Sequence, residues 1–372
     1  MPDLLDGISL VDHHCHGVLR EPLDRTGFES MLTEAEGPGP GHGSLFDTQA
    51  GLAVRRFCPP LLDLPALVDA DVYLARRAEL GTDEVNRRLV GSVAIGDFVV
   101  DTGFMADRLT PPADLAALSG GHGHEIVRLE QVAEQVVGAS DYVGAFQAAL
   151  VSRARNAVGF KSIAAYRIGL DLDPVRPSTA EVRVAAKAWA RTVEKGGAPR
   201  LADPVLIRFG IWTALDIGKP IQFHVGYGDR DVDLLKCDPL HLTPLLRATV
   251  DLGVPIMLLH NYPFHRNAGY LAQVFDHVFV DVGLALQNVG SRAEVVLAEL
   301  LELAPFGSVL FSTDAFGLPE LYVTSTALFR RALTKFLDAG LRDGAWSIAD
   351  VERISRLIGR DNARRVYGLA AA

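Results

Sequence analysis

Two histidines spaced two residues apart are the first candidates for chemistry in this 372-residue sequence. His14 and His16 occur in the run ISLVDHHCH. Side chains alternate between the two faces of a strand, so both imidazoles point one way and Cys15 the other. Two imidazoles on one face can bind one metal ion together. A second pair, His122 and His124, occurs in a glycine-flanked GHGH segment, which we interpret as a loop without a metal role.

Three more polar residues end apolar runs: His224 follows PIQF, His260 follows PIMLL and Asp314 follows VLFST. If these runs are parallel strands of a barrel, their carboxyl ends converge on one spot. A buried imidazole or carboxylate needs a partner, and one shared cation would serve them all. The alternative is that each is a hydrogen-bonded structural residue, which explains any one of them better than the whole set.

The candidate ligands combine imidazole nitrogens with a carboxylate oxygen. His14, His16 and His224 would supply the nitrogens and Asp314 the oxygen. Such a mixed set suits a divalent metal, with zinc as the first choice and manganese or iron as alternatives. The sequence therefore predicts a divalent metal site.

The elements that would position these residues alternate along the chain. Apolar runs rich in branched or aromatic residues are separated by helix-like stretches, which predicts parallel strands joined by helical crossovers. Several helix boundaries are marked by their residue types. Capping boxes are predicted at Ser178–Glu181 and Ser291–Glu294, an N-cap at Asp203 before Pro204, and helix ends at Gly218 and Gly253.

Eight candidate strands predict an α/β fold of the (β/α)8 TIM-like barrel type, with residues 1–372 forming a single domain. The runs are ISLVDHHCH, GDFVVDTG, EIVRLE, VGFKSI, PIQFHVG, PIMLLHN, HVFVDVG and SVLFSTD. Residues 20–90 break the rhythm with a loop rich in Gly and Pro followed by helical patterns. We interpret this stretch as a helical and loop insertion after strand one that caps the mouth of the barrel. Two helices are predicted at the end of the chain.

Composition narrows the function classes. The formal net charge is −10, which argues against nucleic-acid or membrane partners. Three scattered cysteines fit reduced thiols rather than a disulfide framework. The first residues lack a signal-peptide pattern, and no apolar run approaches a membrane span. A cytoplasmic enzyme acting on a small molecule is the expectation, and a homodimer is possible on general grounds of symmetry.

The chain also resembles a known family. The motifs VDHHCH, YLARRAELG, VVDTGF, HEIVRLE, GFKSIAAYR, QFHVGYGD, LLHNYP, STDAFGLPE and NARRVYGL follow the order seen in the amidohydrolase superfamily. The match is to the amidohydrolase family 2 branch, closest to the amidohydrolase-like portion of nodulin/glutamine-synthetase-type fusion proteins. The resemblance implies a distorted barrel and metal ligands at His14, His16 and His224. It further implies a catalytic His260, with Asp314 as both ligand and proton carrier.

Lys161, in GFKSI, leaves three interpretations open. Many binuclear amidohydrolases have a carbamylated lysine at the end of strand four that bridges two ions, and His224 and His260 would then bind the second ion. If one ion is present, the Lys161 ammonium would contact an anionic substrate group. The third interpretation is a lysine that extends out of the barrel into solvent.

Further charged and polar residues are predicted to face the same mouth. Arginine suits a carboxylate, so Arg128 or Arg167 could anchor an acidic substrate. The alternative for Arg128 is an internal salt bridge with Glu130 or Asp101. The predicted substrate-binding residues are Arg128, Glu130, Tyr166, Arg167 and Asp229.

The preferred function is hydrolysis of an amide C–N bond in a small, acidic substrate by metal-activated water. Asp314 would move the proton, and Lys161 and His260 would take part in catalysis. A γ-glutamyl-like substrate follows from the resemblance alone. The first alternative is a non-oxidative decarboxylase that uses the same metal site. The second is a barrel that binds a ligand without turning it over.

Overall fold

The computed structural model describes residues 4–35, 37, 41 and 43–370. Seven parallel strands form one sheet whose spatial order follows the chain order. Parallel neighbours need crossovers between them, and helices supply these. The strands are β1 (Leu10–Cys15), β2 (Ile95–Asp101), β3 (His122–Arg128), β4 (Ala157–Ser162), β5 (Ile221–Val225), β6 (Ile256–His260) and β7 (Val278–Val280).

The predicted eighth strand, SVLFSTD, is not a regular strand, although its backbone bonds to both neighbouring strands. The amide of Leu310 donates to the carbonyl of Val280 at 3.0 Å, and the amide of Asp314 donates to the carbonyl of His14 at 3.0 Å. Between these bonds the amide of Thr313 donates to a side chain, the carboxylate of Asp12, at 2.9 Å. Residues 309–315 therefore join β7 to β1 as an irregular segment. The curled parallel sheet with its helices fits a TIM-like α/β barrel.

Helices lie on the outside of this sheet. The described residues between β1 and β2 include α1 (Arg25–Ser30), α2 (Gln49–Phe57), α3 (Ala70–Leu80) and α4 (Thr82–Gly91). After β2 come α5 (Pro112–Ala117), α6 (Leu129–Gln135), α7 (Tyr142–Ala154), α8 (Ala164–Arg167), α9 (Thr179–Glu194), α10 (Pro204–Ile217), α11 (Thr243–Thr249) and α12 (His265–Val274). The last are α13 (Gly283–Val289), α14 (Ala293–Leu300), α15 (Pro319–Asp343), α16 (Ile348–Arg356) and α17 (Asn362–Tyr367).

Most predicted helix boundaries are confirmed. Ser178 caps α9 in a complete capping box with Glu181. The carboxylate of Asp203 accepts from two amides at the start of α10. Gly218 and Gly253 both end their elements at positive φ, which glycine adopts without a steric penalty.

The capping box predicted at Ser291 is wrong. Residues Gly290–Arg292 form a 3-10 turn, and α14 begins after them without a side-chain cap. The amide of Ser291 instead donates to the side chain of Gln49 at 3.0 Å. Glu294 pairs with Lys335 rather than reaching back to the start of its own helix. Tertiary contacts with α2 and α15 therefore replace the local cap.

The third strand was predicted too late in the sequence. It begins at His122, so His122 and His124 lie in β3 and not in a loop. Gly123 was the misleading signal, because a Cβ there would meet the carbonyl oxygen of Pro112 at 2.1 Å. The glycine allows close approach of two backbones, which is a known role for glycine inside strands. At its other end the strand stops at Arg128, and Glu130 belongs to the first turn of α6.

The stretch between β1 and β2 is attached to the barrel through α15. Arg77 of α3 donates to the Glu320 carboxylate at 2.8 Å, and the Tyr73 hydroxyl donates to the same oxygen at 2.7 Å. Earlier in this stretch, residues 30, 31 and 33–35 line the cavity described below. Residues 36, 38–40 and 42 of the predicted Gly- and Pro-rich loop lie outside the described residues.

A cluster of apolar side chains fills the inside of the barrel toward the amino-terminal ends of the strands. Tyr367 of α17 packs against this cluster, and Arg364 donates to the Asp97 carboxylate at 3.0 Å near the start of β2. The last helix thus covers the amino-terminal end of the strands. The buried residues of the cluster include Val11, Val99, Ile126, Met257, Leu259, Phe279 and Leu310.

Candidate metal centre and active site

A cavity of about 530 Å³ opens where the strands end at their carboxyl termini. Five residues singled out from the sequence line it together: His16, Lys161, His224, His260 and Asp314. They come from β1 and its following loop, β4, β5, β6 and the irregular eighth segment. The prediction that the strand ends converge on one spot is therefore confirmed.

Two histidines and one aspartate form a cluster with the geometry of a metal site. The Nε2 atom of His14 lies 3.1 Å from Oδ1 of Asp314, and Nε2 of His16 lies 3.5 Å from the same oxygen. One donor atom from each of the three lies within 4.8 Å of the other two. All three residues are buried.

The proton on His16 shows why a cation fits this cluster. Its Nδ1 lies 3.1 Å from the carbonyl oxygen of Asp101. A carbonyl oxygen only accepts, so Nδ1 carries a proton and donates it. A ring that donates from Nδ1 can bind a metal ion through the lone pair of Nε2, which faces the carboxylate of Asp314. A cation placed between these two atoms would interact with both, and an imidazole fixed by a backbone carbonyl is the usual arrangement of a metal ligand.

His260 lies beside this cluster. Its Nε2 is 3.5 Å from Oδ2 of Asp314, and its ring centroid is 5.4 Å from that of His14. The Nδ1 atoms of His14 and His260 are buried without a hydrogen-bond partner.

His224 lies in the same cavity, but its Nε2 faces away from the cluster. That atom is 3.1 Å from the carbonyl oxygen of Tyr227, while the His224 ring centroid is 4.9 Å from that of His260. The structure does not bring His224 into the three-residue cluster with His14, His16 and Asp314. Its role as a ligand stays a prediction, and ligation through Nε2 requires rotation of the ring.

Burial keeps His14 and His260 neutral. Together with the nearby Lys161 charge, it lowers the pKa of His14 to about 3. Burial likewise lowers the pKa of His260 to about 4. Burial opposes the charge of Asp314, but the histidines around it hold the pKa of its carboxyl well below the usual range. Neutral imidazoles and an ionised carboxylate are the forms that bind metal ions.

Lys161 is buried and reaches the same centre. Its Nζ lies 3.1 Å from Nε2 of His14, and 2% of the residue is exposed. The interpretation in which this lysine extends into solvent is therefore wrong. Burial lowers the pKa of its ammonium to about 8, which makes the neutral amine accessible near physiological pH. Both remaining interpretations, a carbamate bridge and a contact with a substrate anion, fit this position.

Four of the five predicted substrate-binding residues line the cavity, namely Arg128, Tyr166, Arg167 and Asp229. The ring of Tyr166 lies 4.3 Å from that of His224, measured between centroids. Arg128 lines the cavity and also makes the salt bridge considered as its alternative. The partner is Asp101, with Nη2 of Arg128 2.5 Å from Oδ2, and not Glu130.

Glu130, the fifth of these residues, is not among those that line the cavity, although it was predicted to face the same mouth. The strand ends at Arg128, so Glu130 turns away with the first turn of α6. Its carboxylate accepts from the Ser162 hydroxyl at 2.7 Å and from the Ile163 amide at 3.0 Å. The residue therefore holds the loop after β4 in place.

Sequence reasoning missed the aspartate that supports two of the site residues. Oδ1 of Asp281 accepts from the amide of His260 at 3.1 Å and from the Ser312 hydroxyl at 2.8 Å. Its Oδ2 lies 3.0 Å from Nε2 of His13. The signal was available, because Asp281 ends the apolar run HVFV in the same way as Asp314 ends VLFST.

The backbone at the centre has an uncommon conformation. His260, Asn261 and Asp314 have φ values of 69°, 58° and 51°. Residues other than glycine rarely adopt this region, at a cost of about 1–3 kcal/mol each, and such residues cluster at functional sites. The bonds from Asp281 to the His260 amide and to Ser312 hold two of these turns in place.

Comparison with known proteins agrees with the geometry. A family model described as amidohydrolase matches residues 101–369. A protein of Lactobacillus casei, provisionally named a metal-dependent hydrolase, has a solved structure that superposes with a TM-score of 0.83 at 31% identity. The superposition covers 99% of this chain and 98% of that one.

More distant solved structures share the fold. A uronate isomerase from Thermotoga maritima matches with a TM-score of 0.64 at 13% identity, covering 98% of this chain and 96% of its own. A glucuronate isomerase from Caulobacter crescentus matches with a TM-score of 0.61 at 16% identity, covering 99% and 93%. These similarities show the barrel alone.

Among curated proteins, the chain is similar to the protein fluG of Emericella nidulans. The two are 28% identical over 412 aligned positions, which cover 97% of this chain and 46% of the relative. The chain thus spans about half the length of the curated relative it matches. A search of the helices in the described part of the chain found none with the length and apolar character to cross a bilayer.

Proposed function

Since this chain belongs to the amidohydrolase family and is an enzyme of the metal-dependent hydrolase type, we propose that it hydrolyses an amide C–N bond of a small, acidic substrate. The observation that carries the proposal is the pair of acceptors at the centre. The lone pair of His16 faces the Asp314 carboxylate at 3.5 Å, with His14 beside them. A divalent ion placed between these side chains would bind all three of them.

The chemistry of the donor set supports zinc, with manganese or iron as alternatives. His14, His16 and Asp314 would hold the ion, with His224 joining after rotation of its ring. When bound, such an ion supplies a Lewis acid that lowers the pKa of water from about 15.7 toward 7. The remaining steps belong to side chains of this chain.

Asp314 is the group placed to carry the proton. One carboxylate oxygen faces His14 and His16, and the other lies 3.5 Å from Nε2 of His260. An ionised carboxylate can accept a proton from the attacking water and return it to the leaving nitrogen. His260 faces the oxygen that does not contact His14, so it is positioned to polarise the substrate carbonyl. The Lys161 charge adds to the stabilisation of the oxyanion.

The stretch 20–90 completes the site in this proposal. Ser30, Met31, Thr33, Glu34 and Ala35 line the cavity opposite the strand ends. We propose that this insertion caps the mouth of the barrel and excludes bulk water during the reaction, which strengthens the interactions of the charged groups inside.

Non-oxidative decarboxylation is the second candidate, and one contact supports it. Lys161 lies within hydrogen-bond distance of His14, where an unmodified ammonium could face a carboxylate. One ion with a free Lys161 supports this reaction as much as hydrolysis, whereas two ions bridged by a carbamate favour hydrolysis. The family contradicts the alternative of a barrel that binds a ligand without turnover, because it places the chain among enzymes.

The test combines metal analysis with product analysis. Metal content per chain is measured on protein purified without chelator, and diffraction shows whether Lys161 is modified. The loaded protein is then screened against carboxylate-bearing amides for released amine and against carboxylic acids for released CO2. Metal-dependent amine release supports the proposal, and CO2 release with no amine replaces it with decarboxylation. Failure to bind zinc, manganese or iron contradicts both.

Location and assembly remain proposals of the same kind. We propose a cytoplasmic protein that forms a homodimer and acts on a small molecule, without nucleic-acid or membrane partners. Light scattering on the purified protein measures the oligomeric state, and a monomeric mass contradicts the dimer.

A further inference from the structure

Four arginines line the cavity, and three of them already have well-placed carboxylate partners. The positive charges of those three arginines are therefore neutralised within the protein. Nη2 of Arg108 bonds Glu21 at 2.5 Å, Nη2 of Arg128 bonds Asp101 at 2.5 Å, and Nη2 of Arg200 bonds Asp231 at 2.8 Å.

Arg167 is the fourth, and most of its donors are unused. Its Nη2 lies 3.2 Å from Oε1 of Glu134, an oxygen that also accepts from the amide of Leu201 at 2.9 Å. Its Nε and Nη1 atoms are buried and have no hydrogen-bond partner. The side chain is 9% exposed and lines the cavity, so a ligand in the cavity can approach it. Buried guanidinium donors without partners are unfavourable unless a ligand supplies the acceptor.

The position of Arg167 connects it to the reacting end of the cavity. It ends α8, the short helix that follows β4 and Lys161. Its neighbour Tyr166 packs against His224, with 4.3 Å between ring centroids. Arg167 and Asp314 line the same cavity. A small molecule can therefore place one group at Asp314 and another at Arg167.

We propose that Arg167 binds a carboxylate of the substrate, and that the substrate class is small carboxylic acids in which this carboxylate is separate from the bond that reacts. The inference rests on the proposed function, since it assigns the other end of the same substrate. A carboxylate oxygen supplies the acceptor that Nε or Nη1 lacks, and an anionic ligand offsets the burial that lowers the pKa of Arg167.

The test measures binding and does not require turnover. Metal-loaded protein is titrated by calorimetry with glutarate, a five-carbon dicarboxylate, and with glutaramide, its uncharged analogue of similar shape. Three proteins are compared: wild type, Arg167→Gln and Arg176→Gln. Arg176 is the matched control, because it is an exposed arginine that pairs with Asp216 and does not line the cavity.

Wild type is expected to bind glutarate and to bind glutaramide at least tenfold more weakly. Arg167→Gln is expected to lose roughly tenfold or more in affinity for glutarate, because a charge-assisted bond disappears, while Arg176→Gln binds as wild type. Unchanged glutarate binding by Arg167→Gln overturns the inference, and so does equal binding of the two probes by wild type. If Arg167→Gln does not fold, glutarate binding is measured with Arg167→Lys instead, since lysine keeps the charge but lacks the guanidinium donors. Unchanged affinity in that variant also overturns it.

Failure of the two proposals can be told apart on the same preparations. Metal content and amine release are measured beside the titrations. Arg167-dependent glutarate binding without metal or hydrolysis removes the proposed function and keeps the carboxylate site. Hydrolysis with glutarate binding that is independent of Arg167 keeps the function and removes the carboxylate site.

Discussion

The barrel contains two pairs of histidines with the same spacing, one at each end of its strands. His14 and His16 lie at the carboxyl end of β1, whereas His122 and His124 lie at the amino end of β3. Each pair reaches an aspartate. Nε2 of His14 lies 3.1 Å from Asp314, and Nε2 of His124 lies 3.0 Å from Asp97.

Their surroundings differ in every other respect. His14 is fully buried beside the other imidazoles of the centre, and the amino group of Lys161 lies within hydrogen-bond distance of it. The His122 side chain is 68% exposed, and Asp97 already accepts from Arg364 at 3.0 Å. The same motif thus belongs to the proposed metal centre at one end of the barrel and, at the other, to an ion-pair network around the buried Asp97. The end of the strand at which a motif lies decides its chemistry.

The largest expected difference between the two ends concerns their aspartates. Asp314→Asn keeps the shape but removes the proton acceptor, so kcat is expected to fall at least about 100-fold. Asp97→Asn is expected to leave kcat within about twofold in folded protein, because Asp97 lies at the other end of the strands and does not line the cavity. The assay is amine release from the active amide, with circular dichroism to verify folding. Near-wild-type turnover in Asp314→Asn would remove this residue from the mechanism.

Metal binding should separate the two pairs next. His16→Ala deletes a candidate ligand, so metal affinity is expected to fall by more than the roughly 10–100-fold seen when only supporting residues are lost. The matched control, His124→Ala, is expected to retain the wild-type metal content. Competition with a chromophoric chelator measures both affinities. Equal loss in the two variants would mean that the spacing matters more than its place in the barrel.

The two ends should also respond to acid at different pH values. In the metal-free protein the pKa of His260 is lowered from 6.5 to about 4, so the unfolded chain takes up its proton first. Stability is therefore present above about pH 6.5 and is lost as the pH falls toward 4. The pKa of Asp97 is also lowered: burial opposes this shift, but His124 and Arg364 outweigh it, so its contribution is lost only below about pH 4.

Thermal melts in chelator across this range measure the difference. His260→Gln should flatten the fall in melting temperature between pH 6.5 and 4, whereas Asp97→Asn should not change the curve there. If both variants leave this part of the profile unchanged, protonation of His260 is not what destabilises the apo protein.

The smallest effect is expected at the exposed member of the surface pair. His122→Ala removes a mostly solvated ring whose Nδ1 is 3.8 Å from Asp97. The free energy of unfolding should change by no more than about 0.5 kcal/mol, as is usual for exposed positions. Urea denaturation measures it. A loss of several kcal/mol would show that this end of the barrel depends on its histidines more than the geometry indicates.

Much of the site could be predicted because strand ends carry a simple signal. His224, His260 and Asp314 each follow an apolar run, and the parallel sheet then brings them into one cavity. Glu130 was misplaced because the end of a strand is a matter of one or two residues, and Arg128 was the last residue of β3. The orientation of the His224 ring toward the Tyr227 carbonyl is a rotamer choice that spacing does not encode.

The apolar runs also made the fold predictable in outline. They predicted it less well where the eighth segment closes the barrel between β7 and β1. The pattern of SVLFSTD is that of a strand, but the Asp12 side chain takes the amide of Thr313 that a regular ladder would use. Gly123 suggested a loop, yet it lies inside β3. A glycine occupies this position because the backbone at Pro112 leaves no room for a side chain. In both cases a tertiary contact overrides the local pattern.

The irregular eighth segment has a consequence for how the protein is made. The amide of Asp314 bonds the carbonyl of His14, and these residues are the two sides of the metal cluster. A ribosome makes them 300 positions apart, so a nascent chain carries both histidines of the cluster long before its aspartate emerges. If the proposed ion binds there, it can be captured at full affinity only after residues 309–315 have left the ribosomal tunnel and closed the barrel. We therefore expect metal acquisition to be a late event in the biogenesis of this enzyme, after nearly all of the barrel has been synthesised.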